Sequence, residues 1–119
     1  MTDRTMTEKA RKLAALRSLT TAAREARLAE LRRAAAARDA TLAMLARIDR
    51  RSMVDPGDIA AHCAQALYAQ WQQNQRRHLN LRLARETAIW LAAKEEAARA
   101  FGRDEVLGKL IERAGARKG

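Results

Sequence analysis

Apolar positions recur with helical spacing along most of the chain. In the first half, the side chains that repeat at intervals close to alternating threes and fours are Leu28, Leu31, Ala35, Leu42 and Leu45. This alternation is typical of a helix that buries one narrow stripe against another helix. Arg38 interrupts the stripe, and Leu13, Leu16 and Leu19 lie upstream in a shifted register. We therefore predict a coiled coil with one stutter.

The second half shows the same spacing in two parts. The first part consists of Ile59, Cys63, Leu67, Trp71, Asn74 and His78. After a shift of one residue the pattern continues with Leu79, Leu83, Trp90, Ala93, Ala97, Leu107 and Ile111. Residues 70–80 are unusually polar for the contact surface of a coiled coil. Polar residues at such positions weaken the pairing and fix its register.

One stretch, residues 52–58, interrupts the helical pattern. Pro56 is the single proline of the chain; it lacks a backbone N–H and disfavours helical geometry at Asp55. Gly57 can adopt positive φ, and Asp58 can cap a following helix. The residues on both sides are rich in strong helix formers such as alanine, leucine and arginine.

Two helices of similar length joined by a short turn predict an antiparallel arrangement. We therefore expect an all-α fold, a long antiparallel two-helix coiled-coil hairpin that forms a single domain. The predicted segments are helix 1 at about 8–51, the turn at 52–58, helix 2 at about 58–114, and a disordered tail at 115–119.

Composition and charge favour an extended, basic protein. The 119 residues include one Phe, one Tyr and two Trp, and the formal net charge is +10. Residues 1–55 carry 13 basic and 7 acidic side chains, and residues 56–119 carry 11 and 7. The positive charge is thus spread along the chain, which favours an anionic partner without selecting acidic protein, nucleic acid or anionic lipid.

No pattern in the chain indicates catalysis, a cofactor or a metal site. His62 and Cys63 are helix neighbours that point about 100° apart, and His78 lies far along the same helix, so these side chains do not converge on zinc. Glu95 and Glu96 likewise do not converge as an acid/base pair. The lone cysteine, the polar start of the chain and the lack of any apolar run near the length of a bilayer predict a cytoplasmic protein without a membrane span.

Two clusters are candidates for recognition. Leu67, Tyr68 and Trp71 lie near the predicted turn, together with Met53, Val54 and Ile59; they either pack within the hairpin or form a patch for a partner. The other cluster contains residues from both ends of the chain, which the predicted hairpin brings together. Its basic side chains, which form either a solvated terminus or an electropositive tip, are Arg4, Lys9, Arg11, Lys12, Arg113, Arg117 and Lys118.

Residues 94–114, KEEAARAFGRDEVLGKLIERA, resemble the C-terminal helix of FliJ/YscO-like coiled-coil stalk proteins of flagellar and type III secretion export. The resemblance implies a non-enzymatic accessory protein whose joined helix ends bind the pore of the export ATPase ring. The end so implied consists of Lys9, Arg11, Lys12, Leu16, Arg103, Lys109 and Arg113. It also implies a contact with the export gate or with chaperones, near Leu67, Tyr68 and Trp71.

Two other functions fit the same residues. The stripe could serve a general coiled-coil adaptor or a homo-oligomer. The net charge could serve a nucleic-acid-associated helical protein. Nucleic acid is the less favoured partner because few aromatic residues accompany the basic ones and the chain has no RRM, KH or helix-turn-helix signature.

Overall fold

The computed structural model describes residues 2–50 and 59–116 of the chain, with side chains from Thr7 onward. It contains two α-helices, α1 (Thr2–Arg50) and α2 (Ile59–Ala116), and no strand in those ranges. The expected all-α helical hairpin is confirmed. Helix α1 begins at Thr2, ahead of the predicted start near residue 8, and α2 ends at Ala116. Gly115 and Ala116, placed in the predicted tail, are therefore helical, whereas the predicted turn and residues 117–119 lie outside the described residues.

The chain divides into two compact units that each take one segment from each helix. Unit 1 comprises Met1–Arg32 and Leu91–Gly119, and unit 2 comprises Arg33–Trp90. In unit 1, Arg17 meets Asp104 while Arg27, further along α1, meets Glu96. In unit 2, Arg38 bonds to Thr87 and Asp49 to Arg76. Residues later in α1 contact residues earlier in α2, so the two segments of each unit run antiparallel.

The face of α1 that packs on α2, here called the seam, does not coincide with the predicted leucine stripe. Leu31 and Leu45 belong to the seam, but Leu28 and Leu42 are exposed, and so are Leu16 and Leu19. The seam positions follow strict three–four alternation from residue 13 to residue 48, so the predicted stutter in α1 is wrong. They are Leu13, Arg17, Thr20, Arg24, Arg27, Leu31, Ala34, Arg38, Thr41, Leu45 and Ile48. Arg27 is itself exposed and belongs to this series because it lies 4.0 Å from Glu96 of α2.

On α2, the second part of the predicted stripe is confirmed and the first part is wrong. Every position from Leu79 to Ile111 that the pattern selected is at least half-buried, whereas Ile59, Cys63, Leu67, Trp71, Asn74 and His78 are all exposed. The seam there consists of Ala61, Gln65, Tyr68, Gln72 and Gln75. Two consecutive steps of four, from Gln75 through Leu79 to Leu83, form a stutter in α2.

Polar contacts replace a thick apolar core. The buried apolar side chains among the described residues are Ala34, Ile48 and Ala100. Thr41 is fully buried and donates a hydrogen bond to Glu86. The Nε2 atom of buried Gln72 donates to the carbonyl of Ile48 at 2.8 Å. Ile48 lies near the C-terminal end of α1 as described, so Gln72 ties α2 to the backbone at this end of α1.

Two glycines of α2 give a matched test of how closely the helices approach in unit 1. A Cβ added at Gly108 would lie 2.9 Å from Cζ of Arg17, whereas nothing lies within 4 Å of one added at Gly102. Alanine stabilises a helix interior by about 0.5–1 kcal/mol relative to glycine. We expect Gly102→Ala to raise the free energy of unfolding by about that amount. Gly108→Ala should not raise it, because it displaces the Arg17 guanidinium. Urea denaturation followed by circular dichroism measures both, and an equal gain at the two sites would contradict the close approach.

Candidate functional site

A buried carboxylate organises unit 1. Asp104, 1% exposed, receives four donors from α1. The hydroxyls of Thr20 and Thr21 both donate to Oδ1 at 2.9 Å, and Nε of Arg17 lies 2.8 Å from the same oxygen. Nη1 of Arg24 donates to Oδ2 at 3.1 Å. This arrangement, here called the Asp104 cluster, fixes the register of α2 against α1.

The cluster also sets the ionisation of Asp104. Burial is the largest single influence and raises the pKa of this carboxyl, because the charged form loses hydration. Hydrogen bonds from Thr21, Thr20 and Arg24, with the charge of Arg17, act in the opposite direction and together outweigh it. The pKa of Asp104 therefore lies below its ordinary value of 3.8, and the side chain is ionised at neutral pH.

Arginines of α1 make further contacts with α2 in unit 1. The guanidinium of Arg24 lies over the ring of Phe101, with Cζ 4.4 Å from the ring centroid. Arg27 lies 4.0 Å from Glu96 and 3.2 Å from Glu30 of its own helix. These cations hold the two helices together, and their charge is largely matched within the hairpin.

The residues predicted to bind the ATPase all lie in unit 1, and all of them are exposed. Because Arg17 contacts Asp104 and lies against Gly108, the antiparallel pairing brings the α2 segment that follows Gly108 beside the α1 segment that precedes Arg17. Arg103, which comes just before Asp104, is the member that lies outside these two paired end segments. Within the described residues the basic members of this set make no ion pair. The set, here called the basic end, is Lys9, Arg11, Lys12, Leu16, Arg103, Lys109 and Arg113.

The basic end is not uniformly positive, because Glu8, Glu105 and Glu112 are exposed on the same segments. Of the other terminal cations, the Arg4 side chain and residues 117 and 118 lie outside what the structure describes. The arrangement can contact an anionic surface at several points. Binding of an ATPase by these residues stays a prediction.

The predicted second patch is split between the seam and the surface. Leu67 and Trp71 are exposed, whereas Tyr68 is half-buried in the seam of α2. The rings of Tyr68 and Trp71 stack with centroids 5.5 Å apart. The Tyr68 hydroxyl is buried and has no hydrogen-bond partner among the described residues. Met53 and Val54, grouped with this patch on sequence, lie outside those residues.

Among the described residues, no group of three or more His, Cys, Asp or Glu side chains is placed to hold a metal ion. Neither helix has a stretch apolar and long enough to cross a membrane over its described length. Cys63 is an exposed free thiol.

Asp104 and Thr41 are the important residues that the sequence interpretation missed. A signal for Asp104 was present, because the three–four alternation that selects Ala97 and Leu107 passes through positions 100 and 104. Thr41 gives no comparable signal, because the predicted leucine stripe selects its neighbour Leu42 instead.

Comparison with known proteins gives no assignment: no family model, no curated protein sequence and no solved structure matches this chain.

Proposed function

We propose that this chain is a non-enzymatic stalk protein of a flagellar or type III protein export apparatus, and that its basic end binds the export ATPase. The observation that carries the proposal is the set of exposed, unpaired cations on the joined helix segments of unit 1. The resemblance of residues 94–114 to the C-terminal helix of FliJ/YscO-like proteins supports it from the sequence.

The mechanism would be electrostatic and mechanical. Exposed lysine and arginine side chains attract an acidic surface and accelerate encounter with it. The Asp104 cluster locks the two helix segments together, so that cations from both are presented at fixed spacing. The second contact of this proposed function, with the export gate or a chaperone, would use the exposed side chains near Leu67 and Trp71 in unit 2.

The test is charge reversal at the basic end. A triple variant with Arg11→Glu, Lys12→Glu and Arg113→Glu should raise the concentration needed for half-maximal stimulation of the export ATPase by about tenfold or more, because three favourable contacts become repulsive. Turnover of the purified ATPase, measured against increasing concentrations of the full chain, gives this value.

The matched control carries Arg32→Glu, Arg33→Glu and Arg47→Glu, which are exposed arginines outside the basic end. It changes the net charge equally and should stimulate like the unaltered chain. Equal loss in both variants, or no stimulation by the unaltered chain, would overturn the proposal. Binding of generic DNA that falls steeply with salt would instead favour the nucleic-acid alternative.

A general adaptor is the second candidate function. It is favoured by the exposure of Leu67, at 71%, and of Trp71, at 46%, since large exposed apolar side chains in a row mark a surface for partners. An adaptor would use this surface without stimulating an ATPase.

A further inference from the structure

A row of large apolar side chains lies on α2 outside the seam and within unit 2. Its members recur at helical spacing, and Cys63, Asn74, His78 and Arg85 occupy the intervening positions on the same face. This face lies about a third of a turn from the seam and runs for about 45 Å along the helix. The apolar members, which together define the outer stripe, are Ile59, Leu67, Trp71, Leu81 and Ile89, all exposed.

The outer stripe contains an aromatic anchor that is held in place. Trp71 stacks on Tyr68, whose ring is part of the seam, so the exposed indole is supported from the hairpin side. A partly exposed tryptophan that is supported from one side, with exposed Leu67 one turn away, is the kind of residue that dominates binding energy in protein interfaces. Asn74 and His78, both exposed, supply polar groups near the middle of the stripe that can fix the register of a helical partner.

The charges around the outer stripe select the partner. Residues 59–85 contain four arginines and no aspartate or glutamate. Arg76 pairs with Asp49, and Arg82 pairs with Glu86. Arg77 and Arg85 make no ion pair with any described residue. Arg85 lies within the stripe and Arg77 beside it, so the apolar surface is accompanied by two unmatched positive charges.

We propose that the outer stripe of α2 binds an acidic amphipathic helix of another protein. Such a helix would lay its apolar side chains on Leu67, Trp71 and Leu81, and its flanking carboxylates would pair with Arg77 and Arg85. A second copy of this chain fits less well, because it would bring the same unmatched arginines against this surface. The inference rests on the second contact of the proposed function, and it gives that contact a partner chemistry and a wider surface.

A synthetic helical peptide serves as the probe. It has three heptads with leucine at the a and d positions and glutamate at e and g, where like charges oppose pairing of the peptide with itself. A second peptide has lysine in place of glutamate. Fluorescence anisotropy of the labelled peptides with the full chain should show the acidic peptide binding at least about tenfold more tightly, with an affinity that falls as salt rises.

Two matched variants test the surface. Leu67→Gln should weaken binding of the acidic peptide by about tenfold or more. Leu19→Gln, at a residue of nearly equal exposure in unit 1, 68% against 71%, should change it less than about twofold. Circular dichroism checks that both variants remain helical. No binding, equal affinity for the two peptides, or equal loss in the two variants would overturn the proposal.

Two further outcomes would assign the stripe to another occupant and overturn the proposal. One is a dimer of the chain that Leu67→Gln dissociates in sedimentation. The other is binding to anionic phospholipid vesicles that Leu67→Gln abolishes while the acidic peptide fails to bind. The triple reversal at the basic end should leave peptide binding unchanged, so failure of the ATPase proposal and failure of this one give different results.

Discussion

Asp104→Asn should lower the midpoint of thermal unfolding by on the order of 10 °C. Asparagine keeps the shape of the side chain and one acceptor oxygen for the hydroxyls of Thr20 and Thr21. Its amide group, however, would place N–H donors against Nη1 of Arg24, which lies 3.1 Å from Oδ2 in the native arrangement. The substitution also leaves Arg17 without its carboxylate partner. Circular dichroism recorded during heating gives the midpoint.

Glu105→Gln is the matched control, because it makes the same chemical change at the next residue, which is exposed. A solvent-exposed carboxylate contributes little to stability. The midpoint of thermal unfolding of Glu105→Gln should therefore stay within about 2 °C of that of the unaltered chain. Similar midpoints for the two variants would contradict a structural role for the Asp104 cluster.

The pH dependence of unfolding gives an independent check, in a comparison of the unaltered chain with Asp104→Asn. The pKa of Asp104 is lowered in the folded state, so ionised Asp104 stabilises the fold above its unfolded pKa, close to 3.8, and this stabilisation is lost as pH falls through the folded value. The difference in unfolding free energy between the unaltered chain and Asp104→Asn should be constant at neutral pH. It should narrow from about pH 4 downward, and a difference that widened in acid would contradict the assigned direction.

The fold class followed from the sequence, but the choice of seam face followed only in part. Helix-forming composition and the break around Pro56 were sufficient to predict two helices that pair. The face was predicted from leucine positions. This worked on α2 from Leu79 onward, where most seam positions are apolar and Glu86 and Asp104 are exceptions. It failed where polar side chains fill the seam, since the pattern then selected Leu67 and Trp71, which are exposed, in place of Gln72.

The candidate sites, too, could be predicted from the sequence only in part. Exposed cations near the chain ends could be proposed from charge alone. Their separation from the cations that hold the helices together could not, because Arg11 and Arg17 differ only in what lies opposite them on α2. The unmatched pair Arg77 and Arg85 required the structure for the same reason, since it assigns Arg76 to Asp49 and Arg82 to Glu86.

Thr41→Val should lower the free energy of unfolding by about 1–3 kcal/mol. Valine keeps the shape of the fully buried side chain and removes the hydroxyl that donates to Glu86. Among the described residues, this largely buried carboxylate then keeps only its longer contact with Arg82, at 3.7 Å. Thr87→Val is the matched control in the same unit. Thr87 accepts a hydrogen bond from Nε of Arg38 at 3.2 Å, but both side chains are only half-buried, so water can replace that bond and the cost should be under about 1 kcal/mol. Urea denaturation measures both, and equal costs would contradict the role given to Thr41.

Replacing Thr41 and Glu86 together by leucine should raise the free energy of unfolding, in contrast to Thr41→Val. A buried polar pair is often no more stabilising than apolar side chains of similar size, and its replacement can raise stability by about 1–4 kcal/mol. Leucine at both positions would extend the apolar part of the seam in unit 2, which already contains Leu45 and Leu83. Arg82, which is exposed, can turn from Glu86 into water. The double variant should therefore be more stable than the unaltered chain although Thr41→Val is less stable. The same change removes a cross-helix hydrogen bond. Polar side chains at such positions fix register and oligomer state, so in sedimentation we expect the double variant to form larger assemblies than the unaltered chain. A double variant that is less stable than Thr41→Val would show that the Thr41–Glu86 pair itself stabilises unit 2.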